Sequence, residues 1–395
     1  MKRKLAALLV TMVILTGLTA CSPAATTATV EETTVSTQTT STEAEASTNS
    51  TQVATAESFK SIKKEDIKIG EIQSYYINDG GWCQAVHTSI VNSMEAAGIS
   101  SDKLVTLECI DEDQSSVESA FSSLIDEGCN VIIGCSTGYG SYLSDLADKY
   151  PDVVILQSGD DEDNMVGFQI KNQEGWFLAG YACALLSDQD QLGFAASMNE
   201  VSVRTAINAY ALGAKYANEN ATVQVVWANS WYDVDVETQD ALTLINAGIK
   251  YMGMDASSPA IPQTCQDKGA FVVGSNVDMH DSAPDAVLFS YMWNFSPMFN
   301  DMFDKITSGT LEKGTYYYQG GECSALSEFN DDLVSKDVQD KVTDLRSKLN
   351  SGEVDIYSGA LNDVDGKELV KAGETMDEQT ARDQNFFVSN VKGAQ

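Results

Sequence analysis

Side chains able to do acid–base or nucleophilic chemistry are few and scattered in this chain. His87 and His280 are its two histidines, no Gly-x-Ser-x-Gly or Gly-x-x-x-x-Gly-Lys occurs, and "GCSTGYG" (134–140) misses the Gly-x-Gly-x-x-Gly spacing. His87, inside a stretch of helical periodicity, reads as a helix-surface or packed residue before it reads as a general base. Neither an enzyme nor a cofactor is expected. Eight cysteines include Cys21, and the other seven (Cys83, Cys109, Cys129, Cys135, Cys183, Cys265 and Cys323) contain no Cys-x-x-Cys. Several stand in apolar runs such as "LVTLECI" and "VIIGCS", so buried free thiols are expected in place of a disulfide framework or a metal site. What is chemically distinctive is aromatic. In "NDGGWCQAVHTSIVNSMEAAG" (78–98), Trp82 follows Gly80 and Gly81 directly, where an apolar run ends and a helix with Ala85, Ile90, Met94 and Ala97 roughly on one face begins. Ligands bind at such strand ends in open α/β sheets, so the ring is placed to offer a floor for something flat.

The elements that must position Trp82 follow from ten apolar runs of strand length separated by helical patterns. They are "IKIGEI", "LVTLECI", "NVIIGCS", "VVILQSG" and "MVGFQI", then "QLGFAAS", "TVQVVWAN", "IKYMGMDA", "AFVVGSN" and "AVLFSYMW". Runs apolar on both faces predict parallel sheets covered on both sides. The spacing repeats from Gln191, which predicts two Rossmann-like lobes with their strand ends facing a central cleft. Ser136, Thr137 and Tyr139 in "STGYG" end the third run and open a helix, so their hydroxyls and N–H groups are expected in the cleft. Trp293 and Asn294 end the tenth run and are candidate walls. The expected boundaries are a leader at 1–20, a tether at 21–57, an N-terminal lobe at 58–170 with a return segment at about 295–320, a C-terminal lobe at 171–294, and a helix and tail at 321–395 that pack on the lobes.

The leader has Lys2, Arg3 and Lys4, an apolar run from Leu5 to Leu18, and "LTAC" ending at Cys21. It reads as a signal peptide too short to span a membrane, and the small residues before Cys21 resemble a bacterial lipobox with that cysteine as the lipidated residue. Residues 22–57 contain no Leu, Ile, Met, aromatic, Lys or Arg, so they are expected not to fold. The formal net charge of −34 repels nucleic acid and anionic lipid heads and otherwise reads as a solvated exterior.

With "DGGWCQAVHTSIVNSMEAAG", "NQEGWFLAGYACALLS", "INAYALGAKYANENATVQVVWANSWYD", "AFVVGSNVDM" and "LFSYMWNF" in this order, the chain resembles the basic membrane protein family from about residue 67 to 361. These are lipid-anchored solute-binding proteins of ABC importers, many of which bind purine nucleosides or related purines. The resemblance implies a purine held between one aromatic ring from each lobe, here Trp82 and the Trp231 of "NSWYD", with Trp227 four residues before it. It implies that Asp79 accepts hydrogen bonds from an exocyclic amine or a ring nitrogen. Cys83 stands where nucleoside-binding members often carry asparagine. In "GSNVDM", Asn276 takes the place of an aspartate that holds the ribose hydroxyls, while Asp278 is retained. An amide offers one acceptor and one donor where a carboxylate offers two acceptors, so a free base is a candidate beside a nucleoside.

The reading is a periplasmic-binding-protein-like type I α/β fold and an extracytoplasmic, lipid-anchored receptor. It would close on a purine nucleoside or base and deliver it to an ABC permease with its ATPase. A monomer is expected, touching the membrane through its anchor alone and binding no nucleic acid. A sugar receptor of the same fold would carry more charged and amide groups around the rings, and a sensor or adhesin for another protein would expose an apolar patch.

Overall fold

Residues 57–159 and 162–393 are described by a computed structural model; the expected leader, Cys21 and all of the tether but Glu57 lie outside the described residues. In the first lobe, strands β1 (Ile69–Ile72), β2 (Leu104–Leu107), β3 (Val131–Gly134), β4 (Val154–Ser158) and β5 (Val166–Ile170) alternate with helices α1 (Trp82–Ala97), α2 (Gln114–Asp126) and α3 (Gly140–Lys149). Helices α1 and α2 start where an aspartate can satisfy their free N–H groups. Asp113 accepts from the N–H of Ser115 and Ser116 at the start of α2, and Asp79 accepts from Gly81, Cys83 and Gln84 at the start of α1. Helix α1 stops at Gly98, whose left-handed φ of 66° suits a residue without Cβ.

The second lobe repeats the scheme. Helix α4 (Gln173–Leu186) leads into β6 (Gln191–Ala196), α5 (Val201–Ala217), β7 (Thr222–Trp227), α6 (Val234–Asn246), β8 (Tyr251–Asp255), α7 (Ala260–Lys268), β9 (Phe271–Gly274) and β10 (Val287–Trp293). All ten expected runs are strands. The chain then returns: α8 (Ser296–Ser308) packs on α1, and β11 (Tyr316–Gln319) adds to the first sheet. Next, β12 (Ser324–Leu326) pairs antiparallel with β10, and α9 (Lys336–Asn350) lies against α4. A small hairpin of β13 (Leu361–Asn362) and β14 (Glu368–Val370), helix α10 (Glu378–Arg382) and β15 (Val391–Lys392) follow, the last pairing parallel with β7.

The sheet orders are β2-β1-β3-β4-β5-β11 and β15-β7-β6-β8-β9-β10-β12, parallel except for β12. Strand order reverses between β1 and β3 in one and between β6 and β8 in the other, so each sheet has its crevice at the same relative place. Strands β1, β3 and β4 are buried throughout, which is why they read as unbroken apolar runs. The second lobe is locked by α4 against α5. A Cβ on Gly180 would stand 1.9 Å from the Tyr210 carbonyl oxygen and one on Gly213 would stand 1.9 Å from that of Phe177, so the two backbones touch where both side chains are absent. Among the described residues no helix is long and apolar enough to cross a membrane.

Candidate functional site

The strand ends of the two sheets face one cavity of about 650 Å³. From the first lobe it takes Ser74, Asp79, Trp82 and Cys83 after β1, Asp111 and Glu112 after β2, and Ser136 and Thr137 after β3. From the second it takes Ser197, Glu200 and Ser202 after β6, Trp231 and Tyr232 after β7, Asp255 ending β8, Asn276 after β9 and Trp293 ending β10. The lobes meet at its mouth. A Cβ on Gly81 would stand 2.5 Å from the Ser257 side chain, and the rings of Tyr75 and Tyr232 lie 5.7 Å apart. The absent side chain at Gly81 is what lets the α1 turn approach the other lobe.

Trp82 is half-buried and held in place from behind. Its Nε1 donates to the Cys135 carbonyl at 2.6 Å, and its ring meets Trp293 and Phe295 edge-on, with centroids at 5.1 and 5.3 Å. Trp293 Nε1 donates to Asn276 Oδ1 at 2.7 Å, while Asn276 Nδ2 donates to the Ala256 carbonyl at 3.2 Å. Both ends of that amide therefore brace the cavity wall, and the residue sits at a left-handed φ of 70°, which asparagine tolerates. Trp231 lies at the mouth, about half exposed (52%). Trp227 instead packs against Phe387, away from the cavity lining.

The remaining expected site residues divide. Asp79 lines the cavity while capping α1, and Cys83 lines it with its thiol pushed up to about 12 by burial. Ser136 donates to the Glu112 carboxylate, and Thr137 opens the next turn. Tyr139 does not line the cavity; it is fully buried, and its hydroxyl donates to the Ile110 carbonyl at 2.7 Å. Asp278 does not line it either, being an exposed turn residue that accepts from the His280 N–H at 3.0 Å. His87 packs on the far side, its Nδ1 2.8 Å from the buried Glu71, whose hydrogen bond raises the imidazole pKa. Cys109 is exposed where buried thiols were expected; the other six cysteines are buried, and all seven are free.

Sequence reasoning missed Ser197 and Asp255. Each is the first polar residue closing an apolar strand run, and that position was the available signal. Ser197 is buried with its hydroxyl unpartnered, and Gln169 Oε1 is likewise unpartnered. Asp255 sits in the cleft with its carboxyl pushed up to about 7 by desolvation. Asp79, Asp111, Glu112, Glu200 and Asp255 line the cavity, and among the described residues no Lys, Arg or His does. Among the described residues no cluster of His, Cys, Asp and Glu is arranged to hold a metal ion. A cleft lined with indoles and acceptors is suited to binding a flat solute.

Comparison with known proteins agrees with this fold. The family described as ABC transporter substrate-binding protein, PnrA-like, matches residues 67–359. A purine-binding protein of Brucella abortus is 28% identical over 83% of this chain and 93% of its own length. A putative ABC transporter glucose-binding protein of Haloferax volcanii is 26% identical over 71% of this chain and 69% of its own. Among solved structures, an ABC transporter solute-binding protein from Conexibacter woesei superimposes with a TM-score of 0.62 at 19% identity, covering 73% of this chain and 98% of that one, a likeness of fold.

Proposed function

Because the chain belongs to the PnrA-like family of ABC transporter substrate-binding proteins, we propose that it takes a purine base or nucleoside between its lobes and delivers it to an ABC permease with its ATPase. The observation that carries this reading is that Trp82 and Trp231, from opposite lobes, line one cavity. A purine between two indoles gains stacking of about 1–3 kcal/mol per base. The relative named as purine-binding points the same way. Both polar ends of Asn276 are engaged within the protein, which favours the free base over the nucleoside. The ligand bridges the lobes and thereby stabilises the closed state by contacts that an open state lacks. We place the receptor outside the cytoplasm as a monomer, tethered through a lipidated Cys21.

The test is a thermal-shift and calorimetric screen of purine bases, purine nucleosides and hexoses. A ligand at a hundredfold excess over its Kd adds about 2.7 kcal/mol of stability, so binding is read directly. Purines should raise the melting temperature and glucose should not. A shift with glucose alone, the ligand in the name of the Haloferax relative, would transfer the cavity to the sugar reading.

A further inference from the structure

Three N–H donors of the cavity lining are already engaged within the protein. The indole N–H of Trp82 and of Trp293 and the amide of Asn276 all donate to protein oxygens. With them in the lining, among the described residues, are five carboxylates and no basic side chain. Among the lining groups without a partner are two at the crevice of the second sheet. The Ser197 hydroxyl is buried and unbonded, and the Asp255 carboxyl is perturbed by desolvation alone. They close neighbouring strands at the crevice of the second sheet and line the same cavity, because β6 and β8 pair with Ala196 opposite Asp255 and Ser197 follows directly. The Ser197 hydroxyl is buried and Asp255 half-buried, and a site built around polar groups left unpaired disfavours a ligand that cannot supply the missing donor.

Resting on the reading of the cavity as a purine site, we propose that Asp255, with Ser197 beside it, reads an N–H edge of the ligand. The receptor then selects amino-substituted, uncharged heterocycles over their oxo analogues and rejects phosphorylated ones. An exocyclic amine gives Asp255 a donor. Above pH 7, where the Asp255 carboxyl is ionised, an oxo group in its place sets one acceptor against another, and with five carboxylates and no cation among the described lining residues a phosphate has no counter-charge.

The experiment is calorimetry at pH 8 on the full-length protein with matched pairs that exchange one amino group for an oxo group: adenine against hypoxanthine, and adenosine against inosine, with adenosine 5′-monophosphate against adenosine as the charge test. The wild type should bind the amino member of a pair at least tenfold more tightly and should discriminate against the monophosphate. Asp255→Asn, nearly isosteric and checked for an unchanged or higher melting temperature, should bring the amino/oxo ratio close to one. Ser197→Ala should weaken the amino ligand while leaving its oxo partner unchanged, and it serves as the second variant should Asp255→Asn fold poorly. If both members of each pair bind the wild type equally, or Asp255→Asn keeps the ratio, this inference is overturned while the purine reading stands. If no purine binds and glucose does, both fall together.

Discussion

Trp82 has its one polar atom fixed on Cys135 and lies T-shaped against Trp293 and Phe295, so what it offers the cavity is apolar ring surface. Trp82→Ala should therefore weaken purine binding roughly tenfold to a hundredfold, the equivalent of about 1–3 kcal/mol of stacking, with a smaller effect on folding. Trp176→Ala is the contrast: that ring is 1% exposed among Phe194, Tyr210 and Tyr291, and its loss should cost about 3–5 kcal/mol of stability. Calorimetry and urea unfolding on both variants separate the roles, and a Trp82→Ala form that binds normally but unfolds early would make Trp82 a core residue. Asp255 adds a pH dependence. Its folded-state carboxyl titrates near 7, against about 4 in the unfolded chain, so the ligand-free protein holds an extra proton between those values. Its contribution is fully present below about pH 4 and is lost as pH rises through 7. Asp255→Asn should gain stability relative to wild type across that window; a melting-temperature difference that stays flat with pH would refute the assignment. Trp82 was legible in the sequence because a double-glycine turn before a helix marks a strand end. Ser197 and Asp255 were not, because a serine and an aspartate closing a strand look like ordinary turn residues until the sheet order sets them next to each other.

At the scale of elements, the α4–α5 contact makes a prediction with a definite sign. In an ordinary exposed helix, glycine to alanine stabilises by about 0.5–1 kcal/mol. At Gly180 the new methyl group would lie against the Tyr210 backbone, which cannot rotate away as a side chain can, so Gly180→Ala should instead destabilise by about 1–3 kcal/mol or more. A urea midpoint at or above that of the wild type would show that the helices part without cost. The same elements show what the sequence could reveal. Strands β1 to β10 announced themselves because burial on both faces demands unbroken apolar runs. Strand β11 reads "YYYQ" and β15 is two residues long; both are sheet edges, where one side of the strand has no neighbour to dictate its composition. Asp113 and Gly98 could be read as helix punctuation, whereas the meeting of Gly180 with Tyr210, thirty positions along the chain, has no local signature.

At the scale of the whole molecule, the proposed anchor and the lobes are separable. Cys21→Ala should move the protein out of the membrane fraction and leave purine affinity unchanged; a variant that still sediments wholly with membranes would refute the lipid anchor. Within the lobes the chain crosses from one sheet to the other three times, after β5, after β10 and between β11 and β12. Chains made from the N-terminus tend to fold domain by domain in the order in which they emerge. Here that order is blocked: the first sheet lacks its edge strand until residues 316–319 appear, after the main strands of the second have been made, and the second lacks its own until 391–392. Neither lobe can be finished on a ribosome before the other is nearly complete, so the two halves of the cleft reach their final form almost together.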